Sequence, residues 1–212
     1  IHRYEKSSDS FVPLLVTGVD NAWIKQVTGI GSHNQLIYLL GSDGKLMCVL
    51  QDKVVYTKQL LPNARLHYFF QLNQQPYLAM AASEGTLHIY SLTDFESPSV
   101  ALKLSDFPVS CVATNKHNTD LWVGTDLGSI FKLTESKGEF TATSMQRAFP
   151  SLSKSQRKIL SITETKQDIL WIGTDGDGVF KFLTRPKPFF SVTTSREDRV
   201  GISNSIVRSV YE

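Results

Sequence analysis

The chain has 212 residues, 41% hydrophobic and 10% aromatic, which is enough apolar content for a packed core and excludes a wholly disordered chain. Lys and Arg number 22 against 20 Asp and Glu, a net charge of +2 without a polybasic run, so there is no electrostatic footprint for nucleic acid. No stretch approaches the ~18 uncharged apolar residues of a bilayer span, and two cysteines, Cys48 and Cys111, are too few for a disulfide framework or a structural zinc site. The chain opens on Ile1 without a charged-then-apolar leader, as expected of a processed chain or an excised piece.

Along the chain, short runs rich in β-branched and aromatic residues alternate with Gly, Pro, Asn, Asp and Ser, the pattern of strands and turns. Helical periodicity is nearly absent, apart from a segment within 151–162 with room for one helical turn. The N-terminal Ile1-His2-Arg3-Tyr4 and the run 11–15 resemble the last two strands of a repeating unit. Four further units follow. Leu36-Ile37-Tyr38-Leu39-Leu40 runs into Gly44, and Tyr77-Leu78-Ala79-Met80-Ala81-Ala82 runs into Gly85. Leu121-Trp122-Val123-Gly124-Thr125-Asp126 precedes Gly128 and recurs, with one Val-to-Ile change, as Leu170-Trp171-Ile172-Gly173-Thr174-Asp175 before Gly178. The four glycines after these runs are spaced 41, 43 and 50 apart. A second ladder, Ile24/Val27, Leu66/Phe69, Val109/Val112, Ile159/Ile162 and Val207/Val210, advances by 42, 43, 50 and 48.

Each unit reads as four strands, A to D; in the fourth copy these are 159–164, 169–174, 178–183 and 189–193. Strand B is apolar on consecutive positions, as expected where both sheet faces are covered. Gly124 and Gly173 would let a neighbouring sheet approach closely. Ser42-Asp43-Gly44, Ser83-Glu84-Gly85 and Asp126-Leu127-Gly128 suit three-residue B-to-C turns closed by Gly in the left-handed region. Gly29-Ile30-Gly31-Ser32 reads as an A-to-B turn. Four-stranded antiparallel units at this period specify an all-β fold, a β-propeller. Complete blades are expected at 23–60, 64–103, 109–145 and 159–193, with a partial blade at 1–16 and the first strand of a further blade at 205–212. Joining the two ends leaves strand B missing, so the chain reads as an arc of a larger ring whose end blades expose apolar faces.

The units resemble two-component regulator propeller repeats. Ile159-Leu160-Ser161-Ile162-Thr163-Glu164, then Ile169 to Thr174, then Gly176-Asp177-Gly178-Val179-Phe180-Lys181-Phe182 carry that likeness, and 201–212 resembles the family's linker into its next strand A. Departures are Thr165, Cys111, and Tyr38 and Ala79 in place of Trp. The resemblance implies an extracytoplasmic, periplasmic sensor domain of a membrane-spanning hybrid histidine kinase of the type common in Bacteroides-like bacteria. It also implies an oligosaccharide or related nutrient as ligand and a kinase outside this chain. Alternatives are a protein–protein interaction scaffold and a glycan-active propeller enzyme, the latter needing paired acids at a central funnel.

No catalytic motif, metal site or cofactor is expected. The Asp175-Gly176-Asp177-Gly178 run has two carboxylates for calcium but no third acid or downstream Glu at loop spacing, and a tight hairpin explains it. The five histidines are scattered without ligand spacing. Trp122 and Trp171, in strand B, are expected to pack between blades and not to serve as sugar platforms. Cys111 is expected to be a buried free thiol and Cys48 a half-buried one. In an up-and-down blade the B-to-C turns and D-to-A connections emerge on one face, and two of those connections, 146–158 and 194–204, are long. The candidate ligand-binding residues are therefore Arg147, Phe149, Arg157, Arg196 and Arg199, with Lys154 and Glu197 nearby. The expected partners are a small-molecule or oligosaccharide ligand, the rest of the parent receptor, and a second copy through the end blades. Nucleic acid is not expected, and a membrane only through segments outside this chain.

Overall fold

The computed structural model describes residues 2–13, 16–96 and 99–184. A hairpin opens it, β1 (His2–Glu5) against β2 (Ser10–Pro13). A helical turn, α1 (Asn21–Ile24), starts where the Asp20 carboxylate accepts from the Ala22 N–H at 2.9 Å. Next come β3 (Val27–His33), β4 (Leu36–Gly41), β5 (Lys45–Leu50) and β6 (Lys53–Gln59) in one sheet. The second sheet is β7 (Leu66–Leu72), β8 (Gln75–Ala81), β9 (Thr86–Ser91) and β10 (Val100–Lys103). The third is β11 (Val109–Thr114), β12 (Asp120–Thr125), β13 (Ile130–Ser136) and β14 (Glu139–Ser144). After a helix, α2 (Pro150–Ser155), the fourth sheet pairs β15 (Ile159–Glu164), β16 (Ile169–Thr174) and β17 (Val179–Leu183). The expected strands at 189–193 and 205–212 lie outside the described residues.

Every sheet is an antiparallel meander in chain order, as propeller blades are. The turns explain the meander. Asn34-Gln35 and Asn73-Gln74 both have positive φ (46° and 67°, 50° and 66°), the type I′ geometry that matches strand twist. The B-to-C glycines Gly44, Gly85 and Gly128 sit at φ +81°, +69° and +77°, as the turn sequences require.

The sheets pack face to face around a line of inner strands, β3, β7, β11 and β15. Tyr38, Leu40 and Leu46 of the first sheet bury against Leu78 and Met80 of the second. Ala79, Leu87 and Ile89 bury against Val112, Leu121 and Val123 of the third. Trp122 and Ile130 bury against Ile162, Leu170 and Ile172 of the fourth. The other face of the first sheet, Leu39, Met47 and Val49, is covered by Val16, Val19 and Trp23. This double coverage is why strand B is apolar without alternation: Leu39, Leu78 and Leu121 are all 0% exposed, each stabilising the fold by about 1.5–3 kcal/mol.

The first blade corrects two sequence expectations. Val27 lies opposite Gly41 and Ile30 opposite Leu39, as Val109 lies opposite Thr125 and Val112 opposite Val123. The repeating pair is therefore Val27/Ile30, not Ile24/Val27, because the Asp20 cap winds Ile24 into α1; in the second blade Phe69 lies opposite Leu78 as Glu164 lies opposite Leu170, so Leu66/Phe69 is out of phase as well. Gly29-Ile30-Gly31-Ser32 is strand and not turn, the Asn34-Gln35 turn having taken that role. Its glycines admit rings of the next blade: a Cβ on Gly31 would come 2.5 Å from Phe69 Cδ1 and one on Gly29 2.7 Å from His67 Cδ2. Gly124 serves the same end, its Cβ position lying 2.7 Å from Ile159 Cγ2. Strand A is bulged at one place in three sheets, between Val27 and Gly29, Val109 and Cys111, and Ile159 and Ser161. At the third of these junctions the Ser110 hydroxyl donates to the Ile159 carbonyl at 2.8 Å, tying neighbouring inner strands.

Among the described residues both cysteines are free; Cys48 is fully buried, not half-buried as expected, whereas Cys111 is only partly so. Burial pushes both thiols up. The Tyr38 hydroxyl, in the Trp position of the first blade, donates to the Leu92 carbonyl at 3.2 Å. Burial first, and the neighbouring Cys48 second, push its phenol up from 10.0 to about 12. A value raised on folding means that this stabilisation is complete below pH 10 and is lost as pH rises through about 12. Tyr38→Phe should cost about 1 kcal/mol at neutral pH and make the alkaline loss of stability shallower. Urea midpoints measured from neutral to strongly alkaline pH check this, and parallel curves for the two proteins would contradict it.

Candidate functional site

The B-to-C turns and D-to-A connections do share one face. The Ser42 N–H donates to Gln26 O, the Asp126 N–H to Pro108 O and the Asp175 N–H to Lys158 O, each at 2.9 Å. These bonds hold the last residue before each strand A against the end of strand B in the same blade. Charged side chains then meet across blades. The Asp126 carboxylate, in the third blade's turn, lies 3.2 Å from Lys158 Nζ and 3.8 Å from an Arg65 guanidinium nitrogen. Asp177, in the fourth blade's turn, accepts from the Ser155 hydroxyl at 2.6 Å and lies 3.8 Å from Arg157 Nε. Trp23 of α1 continues the rim at the first blade, its indole N–H donating to Asp43 at 3.2 Å.

Exposed pairs of this kind contribute only about 0–1 kcal/mol each, so they orient side chains more than they hold the fold. The Arg157 and Arg65 side chains stay 60% and 51% exposed, leaving donors directed to solvent. Arg147, in the turn after β14, is exposed, as is Lys154 in α2. Rigid turns presenting several part-neutralised guanidinium and ammonium groups can bind carboxylates, sulfates or vicinal hydroxyls through charge-assisted hydrogen bonds.

The sequence candidates divide. Arg147 and Arg157 lie on this face, and Arg157 is brought onto Asp177. Phe149 is not with them: it is 4% exposed, its ring 6.3 Å from Trp122 and 4.2 Å from Phe182. The cause is α2, which begins at Pro150 and turns Phe149 and Leu152 into the core between the third and fourth sheets. Arg196 and Arg199 lie outside the described residues. Arg65, Asp126, Lys158 and Trp23 were missed; the acid directly after Gly-Thr in two blades was the available signal. Asp177 is engaged by Ser155 and Arg157, which suits the hairpin reading of 175–178. Among the described residues no three His, Cys, Asp or Glu side chains converge as metal ligands.

The opposite ends of the third and fourth blades enclose a polar cavity of about 300 Å³. There the Trp122 indole N–H donates to Glu164 Oε2 at 2.9 Å and the Thr184 hydroxyl donates to Glu164 Oε1 at 3.1 Å. Asn115 Nδ2 donates to Asp120 at 2.9 Å, Lys132 lies 3.1 Å from Asp120, and Lys116 pairs with Asp168. Of these, Trp122 with Glu164 and Lys116 with Asp168 cross the junction and join the blades, whereas the bonds to Asp120 stay within the third blade and that of Thr184 within the fourth. In the first and second blades Tyr38 and Phe69 take the Trp122 and Glu164 places, and the hydrogen bond gives way to stacked rings 6.4 Å apart.

A family profile described as Two component regulator propeller matches residues 153–176. No curated protein sequence matches at a significant level. Among solved structures, the extracellular domain of a putative hybrid two component system from B. thetaiotaomicron is similar with a TM-score of 0.56 and 18% identity, over 100% of this chain and 27% of that one. A chain of the mitotic checkpoint complex is similar at TM-score 0.59 and 11% identity, over 86% of this chain and 56% of its own. Hsv2 of Kluyveromyces lactis gives 0.54 and 13%, over 76% of this chain and 50% of its own. The chain thus spans about a quarter to just over half of these relatives. No helix among the described residues is long and apolar enough to cross a membrane. Over its described residues the chain is an arc of β-propeller blades, and its residues 153–176 match the two component regulator propeller family.

Proposed function

We propose that this arc is part of the extracytoplasmic, periplasmic ligand-sensing propeller of a two-component signalling receptor, and that it passes its signal to a kinase outside this chain. The ligand is an oligosaccharide or a related anionic or hydroxyl-rich nutrient, bound without turnover. One observation carries the reading: the face of long connections presents Arg147, Arg157 and Arg65 with solvent-directed donors on a rigid frame. The family match over the fourth blade supports the receptor setting. Such a ligand would shift domain packing or dimer geometry, since packed blades resist deforming singly.

Calorimetric titration of the intact ectodomain with a panel of neutral and acidic oligosaccharides tests this. Saturable binding without product release is expected, weakened about tenfold or more by the double change Arg147→Glu and Arg157→Glu, because each charge-assisted hydrogen bond contributes ~1.5–3 kcal/mol. Unchanged affinity in that variant would remove the face from consideration, and hydrolysis of the glycan would replace the sensor reading with an enzyme.

A further inference from the structure

Between the first and second blades, on the face of long connections, lies a cavity of about 280 Å³ that the ion pairs of that face do not fill. Its floor is apolar, with Leu40 and Met80 each 1% exposed and Leu61 beside them. Its polar wall comes from the start of β7. The Arg65 N–H donates to the Ala81 carbonyl at 2.9 Å and extends the β7–β8 ladder by one residue, so Arg65, His67 and Phe69 alternate onto one face of the sheet. That face meets β3. A Cβ on Gly29 would come 2.9 Å from His67 Nε2, so it is a glycine that lets the imidazole lie against the neighbouring strand. Phe69 lies over Gly31 in the same way, with a ring that offers no polar atom.

The charge around the cavity has one sign. Among the described residues that line it, Arg65 and His67 are the ionisable groups, and none is a carboxylate. Asp43, in the turn that forms one lip, is held on the other side of the first blade. Its carboxylate lies over Gly41 beside Trp23 and accepts from the Trp23 indole N–H at 3.2 Å and the Lys45 N–H at 3.0 Å. The Arg65 side chain is 51% exposed, and its ion pair with Asp126 is long at 3.8 Å, that carboxylate lying closer to Lys158 at 3.2 Å. His67 makes no hydrogen bond among the described residues, so its part-buried ring has hydrogen bonds still to make. Thr28 donates to the Leu40 carbonyl at 3.3 Å, and its oxygen remains an acceptor at the rim.

Two N–H donors, two residues apart over an apolar floor, complement a ring that carries a carboxylate at one end. A guanidinium takes a carboxylate through paired, charge-assisted bonds, the imidazole supplies a further N–H, and the C–H face of the ring covers Leu40 and Met80. A volume of about 280 Å³ is at the small end of ligand clefts, which suits one sugar residue and not several. We propose that this cavity is a carboxylate subsite that takes one uronic acid residue of the ligand, with Arg65 and His67 as its specificity-determining residues. This rests on the sensor reading of the face and deepens it, naming an acidic sugar where that reading allows a neutral one.

Titration of the full chain, its histidines labelled with nitrogen-15, tests the subsite with sodium D-galacturonate, sodium D-glucuronate, their methyl esters and acetate as probes. The His67 imidazole signal, assigned by its loss in His67→Phe, should shift saturably with a uronate. The neutral methyl ester and the ringless acetate should each bind about tenfold or more weakly, a comparison that needs no variant to fold. Arg65→Gln and His67→Phe should each weaken the uronate by about tenfold, and His67→Gln, which keeps an N–H, should recover part of the loss. No His67 shift with either uronate, a methyl ester bound as well as its acid, or acetate bound as tightly as a uronate would overturn the subsite. Oligosaccharide binding that depends on Arg147 and Arg157 but not on Arg65 and His67 would remove this cavity and leave the sensor face standing. Uronate binding here, with the oligosaccharide panel indifferent to Arg147 and Arg157, would do the reverse.

Discussion

Trp122→Ala is expected to be the most destabilising substitution between the third and fourth blades, lowering the stability of the chain by about 3–5 kcal/mol. The indole is 3% exposed and packs against Phe149, Ile162 and Leu170, so truncation opens a large cavity between two sheets. It also removes the donor to Glu164 Oε2, leaving that part-buried carboxylate with the Thr184 hydroxyl. Trp122→Phe separates the two effects. It retains most of the apolar volume, so its smaller loss, about 1–3 kcal/mol, measures the hydrogen bond and the residual void. Urea unfolding of the three proteins checks the order. If alanine cost no more than phenylalanine, Trp122 would not be the packing centre of this junction.

Gly124→Val acts on the same junction in the opposite sense, by overfilling it. A Cβ at Gly124 would stand 2.7 Å from Ile159 Cγ2 and 2.8 Å from Ile159 Cβ, closer than carbon atoms pack. Ile159 is fully buried and β-branched, so it has no free rotamer to retreat into. The blades must part or β15 must shift, at a cost of about 1–3 kcal/mol or more. A smaller partner should relieve the strain: Gly124→Ala combined with Ile159→Ala, which removes the Cγ2 atom at 2.7 Å, should be less destabilising than the sum of the single changes, a coupling typical of contacting residues. Additive losses in denaturant unfolding would mean that the two positions do not touch.

These two positions also explain how far the sequence could be read. The third and fourth blades were legible because Leu-Trp-x-Gly-Thr-Asp combines a buried aromatic, a glycine that admits the neighbouring strand and a turn, each a local requirement visible in one hexapeptide. Strand A of the first blade was read three residues out of phase because Gly29 and Gly31 look like turn residues, yet they are needed in strand by His67 and Phe69 of the next blade. That requirement belongs to a contact nearly forty residues away in the chain and leaves no local mark. Trp171 makes the same point. Its motif is that of Trp122, but burial is conferred by the following strand A, and the indole is 40% exposed.

The candidate face was legible as topology and not as chemistry. Up-and-down connectivity places the long connections beside the B-to-C turns, and the backbone bonds from Ser42, Asp126 and Asp175 realise that placement. Which side chains meet there depends on ion pairs between blades, such as Arg65 with Asp126, that no spacing rule encodes. Phe149 shows the limit from the other side. Its place in a polar connection suggested a surface role, but Pro150 starts a helix that folds it into the core. A segment with one turn of helical room became a helix because its apolar positions, Phe149 and Leu152, had a cluster to join.

Hydrogen–deuterium exchange of the proposed ectodomain, with and without the tightest-binding oligosaccharide from the calorimetric panel, tests the account most directly. It predicts ligand-dependent protection in the turns 42–44, 126–128 and 175–178 and in the connections 61–65 and 146–158. Protection confined to the opposite ends of the blades, at 34–35, 73–74, 115–119 and 165–168, would contradict it.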